Sequence, residues 1–177
     1  MADIYDIVYY GDERLIRENK KIGNITENIK NIARKMIRTM KKKDGIGLAG
    51  PQVGINKKIA VIDMTFGQKD REEEYLILID PEIKEYSSEK NIMEEGCLSF
   101  PELFIPVERS VKIKIETKNI SGEKVSFEAE GFLARVLQHE VDHLNSIVFV
   151  DRISPVKKME ISSELKKIKE KAKEVRK

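Results

Sequence analysis

The chain has 177 residues, of which 40% are hydrophobic and 36% are charged, and its formal net charge is +2. This length is enough for one domain with a buried core, and the composition is typical of a globular protein rather than a disordered one. The nearly balanced charge gives no sign of a nucleic-acid-binding protein. No apolar run approaches the roughly 18 residues that a membrane span requires, so we expect no membrane partner.

The single cysteine, Cys97, excludes an intramolecular disulfide. The N-terminal segment MADIYDIVYYGDERLI carries acidic residues early and has no long apolar run, so we expect no signal peptide. These features together predict a cytoplasmic protein. In a reducing compartment, its one thiol would be available for chemistry or for metal binding.

The first predicted element in chain order is a helix at 24–44, where apolar residues recur at helical spacing. Asn24 or Thr26 would cap its start, and Gly45 would end it. The next segment, GIGLAGPQVG at 45–54, contains too much glycine and proline for a regular element.

The middle of the chain predicts strands. Segments 57–64 and 75–81 are expected to be strands that an exposed, charged loop connects. Segments 111–118 and 124–131 alternate apolar and charged residues around the turn NISG, which indicates a half-exposed antiparallel hairpin. The segment 94–110 is predicted to be irregular.

A helix is predicted at 131–145, and a charged C-terminal helix at 154–177. Together, the elements predict an α+β fold in which antiparallel sheets pack around the central helix, with an N-terminal and a C-terminal helix. We expect one catalytic domain that covers residues 1–177. Residues 157–177 hold nine Lys or Arg and four Glu, a net charge of +5. A solvated surface helix explains this charge, and so does docking on ribosomal RNA.

Both histidines of the chain lie in the segment QHEVDH, with Glu140 between them. At about 100° of rotation per residue, His139 and His143 share an apolar stripe with Phe132 and Val136, so this helix should be largely buried. Two imidazoles at i, i+4 can chelate one divalent metal, and the adjacent acid can handle the proton of a bound water. The alternative is a pair of core histidines satisfied by hydrogen bonds, with Glu140 at a surface edge.

Because the chain has only two histidines, a third metal ligand must be a residue of another type, and its identity is left open. Cys97 in EEGCLS is a candidate as a thiolate, because soft sulfur ligands suit transition metals. A buried, inert thiol is the alternative interpretation of the same cysteine. Aspartate and glutamate are too numerous in the chain to be excluded as ligands.

Three segments together resemble the peptide deformylases: GIGLAGPQVG (45–54), EEGCLS (94–99) and QHEVDHL (138–144). Members of that family carry GxGxAAPQxG, EGCLS and QHExDH in this order. The resemblance spans nearly the whole chain. It departs from the family pattern at Gly50, where the family has a second alanine, so the loop geometry beside Gln52 is left open.

The resemblance implies a metal-dependent enzyme that removes the N-formyl group from the N-terminal formyl-methionine of newly made polypeptides and releases formate. It implies that Cys97, together with His139 and His143 of the central helix, binds one divalent metal ion. Fe(II) is the ion that the family typically holds, and Zn(II) or Ni(II) can occupy the same site. Formylmethionyl peptides would be the main partners of the protein.

The same resemblance implies roles for the neighbouring residues. Glu140 would take a proton from the attacking water and pass it to the leaving amine. The backbone N–H of Leu98 and the side-chain amide of Gln52 would donate hydrogen bonds to the oxyanion. Glu95 and Arg109 would form a polar shell that holds the cysteine segment.

Selectivity for methionine requires an unbranched apolar pocket beside the metal. Phe132 and Val136 are candidates for its walls because they precede His139 on one face of the helix, although core packing explains the same pattern. The resemblance implies that Ile46, Gly47 and the backbone around Gly96 form the other walls.

Three other classes of function compete with this interpretation. A zinc peptidase of the HExxH type is disfavoured by Cys97 and by the loop that carries Gln52. A closed structural metal site would require a fourth cysteine or histidine, and the chain has none left. A cysteine hydrolase that uses Cys97 and a histidine base would stay active after metal chelation.

Overall fold

Two antiparallel sheets and four α-helices make up the computed structural model, which describes residues 4–68 and 70–175. The strands are β1 (Gly47–Ala49), β2 (Ile59–Asp63), β3 (Tyr75–Tyr86), β4 (Lys90–Cys97), β5 (Phe100–Ser110), β6 (Lys112–Lys118) and β7 (Lys124–Glu130). The helices are α1 (Glu27–Lys42), α2 (Gly131–Leu144), α3 (Pro155–Glu160) and α4 (Ser162–Val175). The predicted α+β class is confirmed. Within the described ranges, no helix combines the length and apolarity needed to cross a membrane.

The larger sheet has the strand order β1-β2-β3-β6-β7 and carries one helix on each face. Side chains of β2 alternate between the two faces because successive residues of a strand point in opposite directions. Ile59 and Val61 belong to the apolar cluster that contains α1, whereas Ala60 and Ile62 pack with α2. The five-stranded sheet is therefore the middle layer, and α2 is buried beneath it.

Helix α1 is shorter than the predicted 24–44 at both ends. Thr26 is its N-cap residue, although its side chain makes no capping hydrogen bond, so the proposed cap at Asn24 was wrong. The N–H of Gly45 donates to the carbonyl of Met40 just beyond the helix. The apolar stripe of α1 packs on the sheet as its periodicity predicted.

The prediction of an irregular segment at 94–110 was wrong. Strands β4 and β5 form a two-stranded antiparallel sheet, with Lys90 opposite Ser110 and Gly96 opposite Phe104. The register shifts between Gly96 and Cys97, and the turn beyond it contains Leu98. Strand β5 contains Pro101 and Pro106, and a two-stranded sheet consists of edge strands, where proline is tolerated.

The predicted absence of regular structure at 45–54 was also partly wrong. Gly47–Ala49 pairs with β2, and only the following turn, a 3-10 helix at Gly50–Val53, leaves the sheet. The C-terminal helix predicted at 154–177 is instead two helices, which meet at Ile161. Residues 176 and 177 of that prediction lie outside the described part of the chain.

Gly50, the departure from the family pattern, lies in a tight space. A Cβ atom there would be 2.8 Å from the carbonyl oxygen of Lys57 and 2.9 Å from that of Ile55. Both atoms belong to the backbone, so they cannot move aside as a flexible side chain would. Glycine at this position therefore allows the segment that leads into β2 to approach the backbone closely.

We predict that Gly50→Ala lowers the free energy of unfolding by about 1–3 kcal/mol, the usual cost of overpacking. Denaturant unfolding of the two proteins measures this difference. Gly23→Ala is the matched control, because a Cβ at Gly23 meets nothing within 4 Å. Equal stability of Gly50→Ala and the wild type would contradict the packing argument.

Candidate metal centre and active site

Three potential metal ligands converge where the end of β4 meets α2. Cys97 closes β4, and His139 and His143 lie one turn apart on α2. The Nε2 atoms of the two histidines are 3.2 Å apart, and the Sγ atom of Cys97 is 3.3 Å from Nε2 of His143. All three ligand atoms lie within 4.8 Å of one another. The structure thus brings together the three residues that the sequence suggested.

The spacing of these atoms fits a tetrahedral transition-metal site. Metal–nitrogen distances near 2.0–2.1 Å and a metal–sulfur distance near 2.3 Å place ligand atoms roughly 3.3–3.6 Å apart around a tetrahedron. The two measured contacts, 3.2 Å and 3.3 Å, are close to those values. Three protein ligands leave a fourth position for a water molecule or a substrate, as catalytic sites require.

Glu95 fixes the orientation of the first histidine. Its Oε2 atom lies 3.0 Å from Nδ1 of His139, so a proton on Nδ1 leaves Nε2 directed at the metal position. Burial raises the pKa of Glu95, but hydrogen bonds from His139 and Arg109 outweigh burial and bring the pKa to about 2. Glu95 is therefore a carboxylate at neutral pH. The structure places it against a potential metal ligand as well as beside the cysteine segment.

The two imidazoles differ in their affinity for protons. Burial lowers the pKa of His139, but its interactions with Cys97 and Glu95 outweigh burial and leave the pKa well above its usual value. Burial and the neighbouring His139 lower the pKa of His143 well below its usual value. Metal ligation requires neutral imidazoles and a thiolate, so a cation that binds here would displace protons.

Glu140 is buried beside the potential ligands, not at a surface edge. It is 3% exposed, and among the described residues its Oε2 atom has no hydrogen-bond partner. Its carboxylate lies so close to Gly47 that any Cβ atom there would collide with it. Burial raises the pKa of Glu140 to about 7. A carboxyl group of this kind can both accept and return a proton near neutral pH.

The amide of Gln52 is oriented by the strand that precedes it. Its Oε1 atom accepts a hydrogen bond of 2.8 Å from the backbone N–H of Ala49. The opposite end of the amide, Nε2, therefore faces the site, 3.3 Å from Sγ of Cys97 and 3.4 Å from Oγ of Ser99. The 3-10 turn at Gly50–Val53 thus directs an amide donor toward the potential metal position.

A cavity of about 570 Å³ opens onto these groups. Its lining includes every residue expected at the active site except His143: Ile46, Gly47, Gln52, Gly96, Cys97, Leu98, Phe132, Val136, His139 and Glu140. Val136 is buried, whereas Phe132 is 42% exposed and packs edge-on against Phe66, with ring centroids 5.3 Å apart. Phe132 therefore belongs to the mouth of the cavity rather than to the core.

A charged cluster lies behind the ligands, and sequence reasoning named Glu95 and Arg109 but missed its other members, Arg135, Asp142 and Arg152. Arg109 donates to Glu95 and to Asp142, and Arg152 pairs with Asp142 from the surface side. A second arginine, Arg135, also donates to Glu95. A signal was available, because charged residues on a helix that must be buried need partners of opposite charge.

The arrangement of a buried Cys/His/His set, an adjacent acid and an apolar cavity is typical of a metal-dependent hydrolase. The family model for polypeptide deformylase matches residues 4–159. A peptide deformylase of Thermotoga maritima is 44% identical over 162 residues, covering 92% of this chain and 94% of that protein. One of Prochlorococcus marinus is 45% identical over 149 residues, covering 84% and 73%. The chain therefore belongs to the polypeptide deformylase family, a family of metal-dependent enzymes.

Solved structures agree with this assignment. Peptide deformylase 1B of Arabidopsis thaliana, crystallised in complex with an inhibitor, superposes with a TM-score of 0.89 at 38% identity, covering 96% of this chain and 92% of that one. The crystal structure of the Thermotoga maritima peptide deformylase gives a TM-score of 0.79 at 45% identity, covering 86% and 99%.

Proposed function

We propose that this chain hydrolyses the formamide bond of N-terminal formyl-methionine in new polypeptides and releases formate. The observation that carries the proposal is the convergence of Cys97, His139 and His143 with buried Glu140 at an apolar cavity. These three residues would hold the metal. We infer one catalytic domain across residues 1–177. One apolar cluster that joins the larger sheet to α2, and another that joins β5 to α4, support this inference.

Glu140 is the proton carrier in this proposal. When bound, a divalent ion lowers the pKa of a water molecule and polarises the formyl oxygen. The Glu140 carboxylate accepts the proton of the attacking water and returns it to the nitrogen of the leaving amine. Its burial and its pKa of about 7 support both transfers, because the group is neither a strong nor a very weak acid near neutral pH.

Gln52 and Leu98 would stabilise the oxyanion that forms at the formyl oxygen. The Nε2 group of Gln52 is already directed at the site, because Ala49 holds the other end of the amide. Leu98 lies in the turn between β4 and β5, beyond the last regular pair of that sheet, where its N–H can face the cavity. One donor of this kind typically contributes about 3 kcal/mol to lowering the barrier.

The methionine side chain would occupy the apolar part of the cavity. Ile46, Gly47, Gly96 and Val136 are proposed as its walls, and Phe132 as a wall at the mouth. A Cβ atom at Gly96 would lie 2.6 Å from the ring of Phe104, so glycine allows this ring to pack closely against the backbone of the wall. The unbranched, apolar side chain of methionine suits an apolar cavity between a helix and a strand edge.

We predict that the wild-type protein releases formate from a formyl-Met tripeptide and that a chelator stops the release. Glu140→Gln should lower kcat about 10²- to 10⁴-fold, because it removes the proton carrier, and should leave one metal ion per chain. Formate release and elemental analysis measure the two effects. Glu89→Gln, at an exposed glutamate that does not line the cavity, is the matched control.

The competing enzyme classes give different results in the same assay. Cleavage of unformylated peptides without formate would indicate a zinc peptidase. Formate release that resists the chelator would indicate a cysteine hydrolase based on Cys97. Metal-loaded protein that acts on neither substrate would refute the proposal and leave only a metal site.

We further propose Fe(II) as the native ion and the cytoplasm as the compartment. The set of one thiolate and two imidazoles supports Fe(II) and Zn(II) alike, and the resemblance to the family favours iron. A reducing compartment would keep Cys97 available as a ligand. Elemental analysis of protein purified without oxygen identifies the ion.

We predict that an iron-loaded sample loses formate release in air, through oxidation of the iron or of Cys97, which is partly exposed to the cavity. A zinc- or nickel-loaded sample should keep its activity under the same conditions, because these ions do not change oxidation state. Activity is followed over time with and without oxygen. Stable activity of the iron-loaded sample in air would contradict the assignment.

We also propose that the C-terminal helices dock on the ribosome near the emerging chain. Helix α4 buries Leu165, Ile168 and Ala172 and leaves a row of exposed lysines on its outer face. Clustered positive charge attracts the phosphates of RNA, and such binding weakens as the salt concentration rises.

We predict that Lys166→Glu, Lys167→Glu and Lys173→Glu, combined in one protein, weaken ribosome co-sedimentation and reduce its dependence on salt. These residues are exposed, so the reversals avoid the core contacts that a truncation would remove. The matched control reverses three exposed lysines elsewhere: Lys20, Lys21 and Lys42. Equal losses in the two triple variants, or no binding by the wild type, would refute a docking role for α4.

A further inference from the structure

The Glu95 carboxylate is saturated by four hydrogen bonds. Its Oε1 atom accepts from Nε of Arg109 at 2.9 Å and from a terminal nitrogen of Arg135 at 2.6 Å. Its Oε2 atom contacts Nδ1 of His139 and a terminal nitrogen of Arg109, each at 3.0 Å. A carboxylate has about four acceptor positions, so none is left over. The group has one orientation in which every donor is satisfied.

Arg135 is anchored on both sides of its guanidinium group. It lies on α2 one turn before His139 and is only 3% exposed. Besides Glu95, it donates to the carbonyl of Val107 at 2.9 Å, to the carbonyl of Asn91 at 3.0 Å and to Oδ1 of Asn91 at 2.6 Å. Strands β4 and β5 therefore fix the position of the guanidinium, which in turn holds the carboxylate.

Arg109 makes two hydrogen bonds to Glu95 but is shared with a second carboxylate. Its guanidinium bridges two carboxylates, because it also donates to Asp142 at 2.5 Å. Asp142 is in turn paired with the half-exposed Arg152. Arg109 therefore divides its donors between Glu95 and Asp142. Among the ion pairs of the described residues, Glu95 is the one carboxylate that Arg135 contacts.

Packing alone does not account for an arginine at this position. Burying a guanidinium is costly, and an apolar side chain of similar volume would fill a gap between a helix and a sheet at lower cost. We therefore expect the cost of burying the Arg135 guanidinium to be offset by the role of the group that it holds in place. The group that it holds is the carboxylate in contact with Nδ1 of His139.

We propose that Arg135 is a positioning residue of the metal centre. By holding Oε1 of Glu95, it keeps Oε2 against Nδ1 of His139 and thereby keeps Nε2 of His139 directed at the metal. The proposal rests on the proposed function, because it concerns the same site. It adds a residue that touches neither metal nor substrate and that acts through two other side chains.

The test is the affinity for Zn(II) and Co(II), measured without substrate by competition with a chromophoric chelator. We expect Arg135→Met to bind both ions about 10- to 100-fold more weakly, the usual loss when the group behind a metal-ligating histidine is disturbed. The visible absorption bands of the Co(II)-loaded protein should also shift, because the His139 ring is reoriented. Unchanged affinity and an unchanged Co(II) spectrum would overturn the proposal, even with a lowered Tm.

Arg152→Met is the matched control. It removes one arginine from the same charged cluster but breaks no contact with Glu95. We expect metal affinity close to that of the wild type. If Arg152→Met weakens metal binding as much as Arg135→Met does, the net charge of the cluster is responsible and the positioning role is refuted.

A double-mutant cycle with Glu95→Gln separates action through Glu95 from an independent effect. If Arg135 acts through Glu95, Arg135→Met adds little to the loss already caused by Glu95→Gln. If the two losses multiply, Arg135 acts by another route and the proposal fails. Should Arg135→Met not fold, Arg135→Lys decides the question. It keeps the charge but lacks the planar fork, so metal affinity equal to that of the wild type would overturn the proposal.

The role of Arg135 and the proposed function can be refuted independently of each other. An absence of formate release from the metal-loaded wild type refutes the deformylase assignment and leaves the affinity measurements meaningful. Unchanged metal affinity in Arg135→Met refutes the role of Arg135 and leaves the deformylase assignment intact.

Discussion

Helix α2 is buried from Ala134 to Leu144, and six of these eleven residues are polar or charged. No water surrounds such a helix, so its polar groups must find partners in the protein or remain available for a ligand. Gln138 is satisfied by the backbone of Ser110, and Arg135 by strands β4 and β5. The groups directed at the cavity, above all the carboxylate of Glu140, are the ones that chemistry can use.

The same constraint positions the cysteine. Within residues 4–68 and 70–175, the two-stranded sheet of β4 and β5 shares no strand pairing with the larger sheet. Ion pairs from Arg109 and Arg135 join it to α2 instead, through Glu95 and Asp142. These contacts hold the end of β4 against the helix. Cys97 consequently meets two histidines that are more than 40 residues away in the chain.

Burial affects two neighbouring carboxyl groups in opposite ways. Glu95 has its acceptor positions filled by charged or polar donors, and its pKa falls to about 2. The Oε2 atom of Glu140 has no hydrogen-bond partner among the described residues, and burial raises the pKa of this carboxyl group to about 7. A difference of this kind separates a group that holds a ligand in place from a group that moves a proton. Both follow from the number of hydrogen bonds each carboxyl group receives.

The sequence by itself determined the elements with a regular pattern and the identity of the reactive groups. The stripe of α1, the alternation in β6 and β7, and the histidine spacing of α2 are local and can be recognised without a partner. Only the tertiary structure revealed three other features. These are the pairing of β4 with β5, the break at Ile161 and the contact between Arg135 and Glu95. Each depends on residues distant in the chain, and local periodicity carries no information about which distant groups will meet.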